Sequence, residues 1–381
     1  MPNFYLKEAH FIYKDNETIQ IRIFNSIQNV DKEWEALAAQ DYFLQPAFLS
    51  NIEMQLKKVL VPNYITIYHQ NKIIGIIYTQ LITFNAQFFN ENVKENFLVK
   101  LQKNSLYCLL DWIQTKLLVV GNIYLTGQHG FIIDNAFDKN FILNNVVKTL
   151  SKHLKTRVSI IKDIQVNELN IDGYNQIEVQ PNMIFYNKNW TNFDDYLNAL
   201  NSKHRVKAKK IISLGSALQL EKLQTMNSAI SQTLYDLYLK MIENASYNLS
   251  KINKNYIEQL FYLENAHIYT VKLNGQIEAF FAYFNNGKYA TAHYLGYNTA
   301  LKNNVALYHN VLFFLVKCTI QDGFDYMIWA RTALEIKSSV GAKPVKTSIL
   351  IRHENKYLNA CLQKGIQLFT QENWIERHPF K

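Results

Sequence analysis

The pattern of apolar and polar residues across 268–297 predicts an antiparallel meander. Three β-type runs, IYTVKL, EAFFAYF and KYATAHYLGY, are separated by the turn signals Asn274-Gly275 and Asn285-Asn286-Gly287. Asn-Gly between alternating apolar runs is a strong hairpin signal, because these residues accept the positive φ angles of tight turns. The spacing then becomes helical in VALYHNVLFFLVKCTIQDG, and Gly323 is placed to end that helix.

A shorter strand, helix and strand follow the long helix. YMIWA reads as a strand, EIKSSVGA as a short helix closed at Gly341, and KTSILIR as a last strand. The order of meander, helix, strand, helix and strand is typical of an α+β fold. It places a strand end beside a helix start, where a phosphate-bearing ligand can bind.

The N-terminal half gives a similar order of elements. Its predicted strands are TIQIRIF, the hairpin YITIYHQ-NK-IIGIIYTQLITF, LLVVGNIYLTG and RVSIIKDI. Its predicted helices are Asp31–Ala39, FLSNIEMQLKKVL, the Leu-rich region Glu95–Lys116 and FILNNVVKTLSKHL. The recurring order suggests a degenerate duplication, although no residue-level repeat is visible.

The joint between the halves is predicted at residues 167–181, where polar residues and Gly173 interrupt the periodicity. This gives two domains, 1–175 and 176–381. The second half then opens with the strand MIFYNKNW. One long helix, NFDDYLNALNSKHRVKAKKIISLG, follows with Asn192 as its N-cap, and two further helices span Ser231–Asn244 and Lys254–Leu263.

Three motifs in the second half carry a family resemblance. HYLGY, NNVALYHNVLFFLV and WARTALEIKSSVGAKPV follow one another in the order found in FemAB-like members of the GNAT acyltransferase superfamily, which this chain resembles over roughly residues 190–352. The resemblance implies tandem GNAT-like halves, each with a mixed, largely antiparallel sheet flanked by helices. It also implies transfer of an acyl group to an amine.

Charge is divided unevenly along the chain. Residues 1–178 contain 17 Lys and Arg against 17 Asp and Glu, whereas residues 179–381 contain 23 against 14, so the whole net charge of +9 lies in the second half. A basic half attracts phosphates such as those of coenzyme A, an acidic headgroup, a nucleotide sugar or tRNA. The alternative is that the charge serves solubility alone.

The sequence predicts a cytoplasmic chain without a transmembrane segment. The longest apolar run, Val311–Val316, is far below the ~20 residues that span a bilayer. The N-terminus lacks a signal-peptide pattern. An odd number of cysteines, Cys108, Cys318 and Cys361, in apolar settings fits reduced structural thiols.

A basic helical stretch, SKHRVKAKK, is the first candidate ligand surface. Lys203, Lys207 and Lys210 share one face at i, i+4 and i+7, and Arg205 and Lys209 lie on an adjoining face. Such a run is either a solvated helix face or a surface that contacts phosphates. Similar Arg/Lys-rich helices in FemAB-like proteins favour the second interpretation.

The GNAT resemblance implies that the pyrophosphate of CoA binds backbone N–H groups at the start of the helix after the meander. In this chain that junction is residues 297–305, where Lys302 is expected to add charge and Asn303 or Asn304 to cap the helix. The glycine-rich pyrophosphate loop of GNAT enzymes is missing. The donor therefore stays open between acyl-CoA, another thioester and aminoacyl-tRNA, and a plain N-capped helix without a donor is the alternative.

The polar cluster after YMIWA is the candidate catalytic site. Amine acylation needs a base for the acceptor ammonium, a donor for the developing oxyanion and an acid for the leaving thiolate. Glu335 is the predicted base, Arg331 or Lys337 the oxyanion stabiliser, and Tyr294 or Tyr308 the acid. The alternative is a structural Arg331–Glu335 ion pair. The isolated His129, His293 and His309 fit ordinary polar positions better than ligand roles, and no metal-ligand spacing occurs.

These observations together predict an N-acyltransferase that moves an acyl group from acyl-CoA to an amine of a small molecule or cell-envelope precursor of the bacterial type. Acyl-CoA would be a co-substrate, with no tightly bound cofactor. Two alternatives stay open, an aminoacyl-tRNA-dependent FemAB-type transferase and a non-catalytic binding protein with the same fold. The absence of a long helical-hairpin arm weakens the tRNA alternative.

Overall fold

The structure of the 381-residue chain is a computed structural model that describes residues 7–56, 60–83, 116–242, 252–366 and 374–381. Contacts divide the described residues into two compact units. The first contains residues 7–179 with their gaps and residues 346–366. The second contains 180–242, 252–345 and 374–381. Among the described helices, none has the length and apolar composition to cross a bilayer.

The described strands are numbered in chain order: β1 Lys7–Ile12, β2 Thr18–Phe24, β3 Leu60–His69, β4 Lys72–Thr83, β5 Lys116–Val120, β6 Phe131–Ile133, β7 Val158–Gln165, β8 Asn175–Tyr186, β9 Gln219–Lys222, β10 Ala266–Leu273, β11 Gln276–Asn286, β12 Tyr289–Tyr297, β13 Tyr326–Ile328 and β14 Lys343–His353.

The described α-helices are α1 Glu33–Ala38, α2 Pro46–Leu56, α3 Lys139–Leu154, α4 Phe193–Ala199, α5 Ser202–Leu214, α6 Ser228–Ile242, α7 Lys254–Leu260, α8 Leu307–Gln321, α9 Leu334–Ser339 and α10 Lys356–Ile366.

In the first unit, β1 to β5 pair antiparallel in chain order, β5 pairs parallel with β7, and β7 pairs antiparallel with β14. Strand β6 pairs with β4. Helix α3 connects the parallel partners and packs apolar residues, among them Ile142, Val146 and Leu150, into an Ile/Leu/Val core. Parallel neighbours need such a crossover, since a hairpin can join only antiparallel strands.

The second unit repeats this plan. Strands β9 to β12 form an antiparallel meander, β12 pairs parallel with β13, and β13 pairs antiparallel with β8. Helix α8 is the crossover between the parallel strands, and twelve of its fifteen residues are buried. The predicted α+β class, with two halves of similar strand order, is therefore confirmed.

Aromatic residues dominate the core of the second unit. Phe185 stacks on Trp329 with ring centroids 5.3 Å apart, and Tyr196 packs edge-on against Phe185. The Tyr196 hydroxyl donates to the carbonyl of Val340 at 2.9 Å. Buried tyrosines need such a partner, because an unpaired hydroxyl in the core is costly.

Several predicted boundaries are wrong. The single long helix predicted from Asn192 is two helices, because Leu200 is extended and forms a bridge with Phe380. The strand predicted over MIFYNKNW, from Met183, begins earlier, at Asn175. The strand predicted over LLVVGNIYLTG ends at Val120. Strands β1, β6 and β9 have no counterpart in the sequence prediction.

Other predictions fall outside the described residues. The predicted helix Glu95–Lys116 lies there almost entirely, as does Cys108. The division at residue 175 stays a prediction. Of the cysteines, the structure describes Cys318, which is a buried free thiol on α8.

The break between α4 and α5 depends on Asn201. Its side chain accepts from the N–H of His204, and its own N–H donates to the carbonyl of Pro379 at 2.9 Å. Replacing Asn201 with Ala removes the N-cap and should lower the free energy of unfolding by about 1 kcal/mol. The matched control is Asn304→Ala, since Asn304 was the predicted cap of α8 yet lies exposed in a turn before it.

The measurement is urea unfolding of both variants beside the wild type. Equal losses in Asn201→Ala and Asn304→Ala would contradict the assignment of Asn201 as the cap that divides the two helices.

Candidate functional site

Two parallel strands of the second unit stop pairing with one another part-way along β12, and we call the interval beyond that point the cleft. Strands β12 and β13 are paired up to Thr291 and Ile328. Beyond that point β12 continues beside β11 to Tyr297. The chain after β13 continues to bond to β8, which lies on its other edge. Trp329 donates to the carbonyl of Met183 at 2.7 Å, and the N–H of Met183 donates to the carbonyl of Ala330.

Strand β12 carries a β-bulge in its pairing with β11, in the stretch beyond the end of its pairing with β13. Phe281 of β11 is opposite Leu295, whereas Tyr283 is opposite Ala292, so β12 carries one extra residue in this interval. The extra residue falls at His293–Tyr294. Bulges leave part of the ladder unpaired and redirect side chains, and they are frequent beside active sites.

The two side chains of the bulge differ in their surroundings. His293 shares a 2.7 Å hydrogen bond between its Nε2 atom and the hydroxyl of Tyr256, and burial lowers the pKa of His293 to about 3. Its imidazole is therefore neutral and holds α7 against β12. Tyr294 is half-buried, with its ring perpendicular to those of Tyr238 and Tyr256.

Helix α8 begins without a side-chain cap at this end of the cleft. Its N-cap residue is Ala306, which has a φ of 46° and makes no side-chain hydrogen bond to the helix. The expectation that Asn303 or Asn304 caps the helix is therefore wrong, because both lie in the preceding turn. Asn298 instead caps a short 3-10 turn at Thr299–Leu301.

Left-handed alanines recur at this site. Ala306, Ala330 and Ala333 have φ angles of 46°, 59° and 53°. This conformation costs a non-glycine residue about 1–2 kcal/mol. Backbone strain of this kind persists where the surroundings enforce it, and it is concentrated at functional sites.

Two lysines lie near His309, which is in the first turn of α8. Burial lowers the pKa of His309, and the nearby charges of Lys207 and Lys302 lower it further. The two lysines reach His309 from different elements, Lys207 from α5 and Lys302 from the turn before α8. Asn310 holds α5 and α8 together, since its Nδ2 atom donates to the carbonyl of Ile211 at 3.1 Å.

Of the residues predicted to contact the donor, Lys207 and Lys302 thus both lie near His309 at the start of α8. Arg205 also lies on α5, and Asn303 and Asn304 are exposed next to Lys302. A helix N-terminus with flanking cations is a general anion-binding arrangement, since free N–H groups and the helix dipole both favour negative charge.

Lys337 is the most deeply buried of the predicted catalytic residues. Its ammonium donates to the carbonyl of Trp329, and its side chain is almost fully enclosed. Burial lowers the pKa of Lys337 to about 7, because an ammonium loses its hydration inside the protein. Lys337 therefore fixes the chain at the point where it leaves β13.

Arg331 lies two residues after Trp329 and is half-buried. Burial lowers its pKa to about 10, so the guanidinium stays positive at neutral pH. Tyr308, on the first turn of α8, is buried with its ring against Tyr297 at 5.4 Å. Burial raises the pKa of Tyr308 and keeps its phenol neutral.

Glu335 pairs with a residue that the sequence prediction missed. The Nε atom of Arg377 donates to Oε1 of Glu335 at 3.0 Å, and the terminal guanidinium nitrogen contacts the same oxygen. The backbone N–H of Arg377 donates to the hydroxyl of Ser338. No sequence signal connects these residues, because Arg377 lies 42 positions beyond Glu335 in the C-terminal segment.

In the first unit, the side chain of Lys162 occupies the corresponding position, just after the paired part of the parallel strands β5 and β7. Its ammonium donates to the carbonyls of Leu125 (2.9 Å) and Gln128 (3.3 Å) in the loop after β5. It also contacts the carboxylate of Asp163. Gly121 and Gly130 approach so closely that a Cβ on Gly130 would lie 2.4 Å from the Cα of Gly121.

No metal centre accompanies the cleft: in the described parts of the chain, no group of three or more His, Cys, Asp or Glu side chains is placed to hold an ion.

Comparison with solved structures identifies the fold. A crystal structure of FemX superposes over 94% of this chain and 100% of its own, with a TM-score of 0.58 and 12% sequence identity. The chain shares the FemX fold. A tandem GNAT protein from the clavulanic acid biosynthesis pathway matches over 92% of this chain and 98% of its own, with a TM-score of 0.50 and 7% identity.

No family model matches the sequence, and no curated protein matches it. The FemX and tandem GNAT similarities lie well below the identity at which function follows from likeness, so they confirm the predicted FemAB-like GNAT architecture and nothing beyond the fold.

The burial of Lys337 predicts a pH dependence of stability. Its pKa is about 7 in the folded chain and about 10.4 when unfolded. Between these values the unfolded chain binds more protons, so stability rises with pH. From pH 7 to pH 9 the wild type should gain about 2 kcal/mol relative to Lys337→Met.

Urea unfolding at constant ionic strength measures this difference, with Lys302→Met as the control at an exposed turn position. A Lys337→Met variant whose stability keeps the wild-type pH profile would contradict the low pKa of the buried ammonium.

Proposed function

We propose that this protein is an N-acyltransferase whose donor is a CoA thioester bound at the start of α8 and whose acceptor is an amine. The observation that carries the proposal is the parting of β12 and β13 beside an uncapped helix N-terminus with Lys207, Lys302 and His309 around it. This arrangement offers a positive, hydrogen-bonding place for a pyrophosphate next to an open strand edge.

The donor would extend from that anion site along β12. With its phosphates near Lys207 and Lys302, the acyl thioester would lie beside the bulge at His293–Tyr294. Backbone groups released from the ladder by a bulge are suited to hold an acyl carbonyl. The fold shared with FemX and a tandem GNAT protein is compatible with this placement.

The proposed reaction needs no covalent enzyme intermediate. Glu335 takes a proton from the acceptor ammonium, and the free amine attacks the thioester carbon. Arg331 stabilises the oxyanion of the tetrahedral adduct. The C–S bond then breaks, Tyr294 protonates the leaving thiolate, and the remaining extra proton on the amide nitrogen passes to the Tyr294 oxygen, which restores the phenol. Tyr308, the other predicted acid, is less accessible because it is buried against Tyr297.

Lys337 has a positioning role in this proposal. Its ammonium is engaged by the Trp329 carbonyl and enclosed by protein, so it acts through the backbone that presents Arg331. A cell-envelope precursor is the acceptor class we favour among amines, since the second half of the chain is basic and such precursors carry phosphates.

Loss of the two lysines should weaken donor binding. The double variant Lys207→Gln/Lys302→Gln is expected to raise the Kd for CoA at least about tenfold, because two charge-assisted phosphate contacts are removed. The matched control, Lys148→Gln/Lys152→Gln, removes the same charge from the exposed face of α3.

Isothermal titration calorimetry with CoA, acetyl-CoA and aminoacyl-tRNA as ligands makes this comparison. A wild type that binds tRNA and neither thioester ligand would replace the CoA proposal with the aminoacyl-tRNA alternative. A wild type that binds none of the three would favour the non-catalytic alternative.

The Glu335–Arg377 pair allows base and ion-pair roles to be separated. If Glu335 is the general base, Glu335→Gln should lower kcat by about 10²–10⁴-fold. Arg377→Gln breaks the same ion pair and leaves the carboxylate in place, so it should retain most of the activity. Both changes should alter stability by less than about 1 kcal/mol, because the pair is largely exposed.

Turnover and thermal melting are measured on the same preparations of wild type, Glu335→Gln and Arg377→Gln. If the two variants lose activity equally, the ion pair rather than the base accounts for the effect, and the catalytic assignment of Glu335 is wrong.

A further inference from the structure

The outward face of α5 combines charge with exposed apolar side chains. The helix SKHRVKAKKIISL contains five basic residues and no acidic residue. Ala208 and Ile211 are its buried residues, so they mark the side that packs on the unit. Val206, 69% exposed, lies on the opposite side, and Leu214, 45% exposed, lies on the flank between the two sides.

The helical spacing places these apolar residues among lysines. Val206 lies one turn from Lys203, Lys209 and Lys210, and Leu214 lies one turn from Lys210. These five residues form the outer face of α5. Lys207 is one turn from both Lys203 and Lys210, so it borders this face, and its proximity to His309 assigns it to the proposed donor site.

We propose that the outer face of α5 docks the protein on an anionic lipid bilayer surface. Lysines of this face would contact acidic headgroups, while Val206 and Leu214 enter the boundary between headgroups and acyl chains. A helix that is basic, poor in acidic residues and tipped with apolar side chains is suited to lie in the plane of a membrane interface.

The exposed apolar residues favour lipid over nucleic acid as the partner. Phosphate contacts to RNA would use the lysines alone and leave Val206 and Leu214 in water. Single-strand binding surfaces also present aromatic side chains for base stacking, and α5 has none. The test distinguishes this proposal from acyl transfer, because its variants leave Lys207 and Lys302 of the proposed donor site unchanged.

The test is co-sedimentation with vesicles made of equal parts of phosphatidylglycerol and phosphatidylcholine, compared with phosphatidylcholine alone. The wild type should bind the anionic vesicles and be released at about 0.5 M salt. The triple variant Lys203→Gln/Lys209→Gln/Lys210→Gln should bind about 100-fold more weakly. The charge-matched control changes Lys148, Lys152 and Lys155 to Gln, since all three are exposed in the first unit, and should bind within about twofold of wild type.

A second pair of variants tests the apolar contribution. Val206→Ser/Leu214→Ser keeps every charge and should still lower vesicle binding about tenfold. Its control, Ile12→Ser/Met54→Ser, changes residues that are 66% and 63% exposed in the first unit and should have no effect. Circular dichroism and thermal melting verify that each variant is folded.

Three results would overturn the proposal. Equal binding losses in the lysine triple and its charge-matched control would reduce the effect to net charge. Unchanged vesicle binding by Val206→Ser/Leu214→Ser, together with tighter binding of the wild type to single-stranded RNA, would assign the face to nucleic acid. Absence of vesicle binding with a concentration-dependent dimer that this apolar variant abolishes would assign it to a second copy of the chain.

Discussion

The end of the pairing between β12 and β13 is the feature on which the candidate site depends. Residues 326–328 pair with β12 on one edge and with β8 on the other, and after Ile328 the ladder with β12 ends while the bonding to β8 continues through residues 329 and 330. The cleft and the place where Arg331 leaves the sheet follow from this arrangement. The lysine that secures it is Lys337, through the carbonyl of Trp329.

The order of the elements was predictable because it depends on local patterning. Asn274-Gly275 forms the expected turn between β10 and β11, with both residues at positive φ. The turn between β11 and β12 is Gly287-Lys288, with Gly287 at positive φ, because Asn285 and Asn286 pair with β12 as the end of β11. Helix α8 follows from its apolar content. Fold class could therefore be reached from sequence, since turn chemistry and periodicity are properties of neighbouring residues.

The failures of prediction come from contacts between distant residues. Leu200 interrupts a stretch with strong helical patterning because Phe380 pairs with it. Ala306 begins α8 although asparagines, better capping residues, stand just before it. Arg377 joins Glu335 from the other end of the unit. In the candidate site, residue types were predictable from sequence, but their partners and burial were not, as Lys337 illustrates.

The two units differ at the place where their parallel strands stop pairing. In the first unit the ammonium of Lys162 contacts the carboxylate of Asp163 and donates to the carbonyls of Leu125 and Gln128 in the loop after β5. Side chains of the protein itself therefore occupy the position that corresponds to the candidate site of the second unit. In the second unit the start of α8 has no side-chain cap, and three nearby alanines are held at positive φ. A ligand that bound there would stabilise the folded second unit by mass action, whereas in the first unit the loop after β5 already supplies the partners of Lys162.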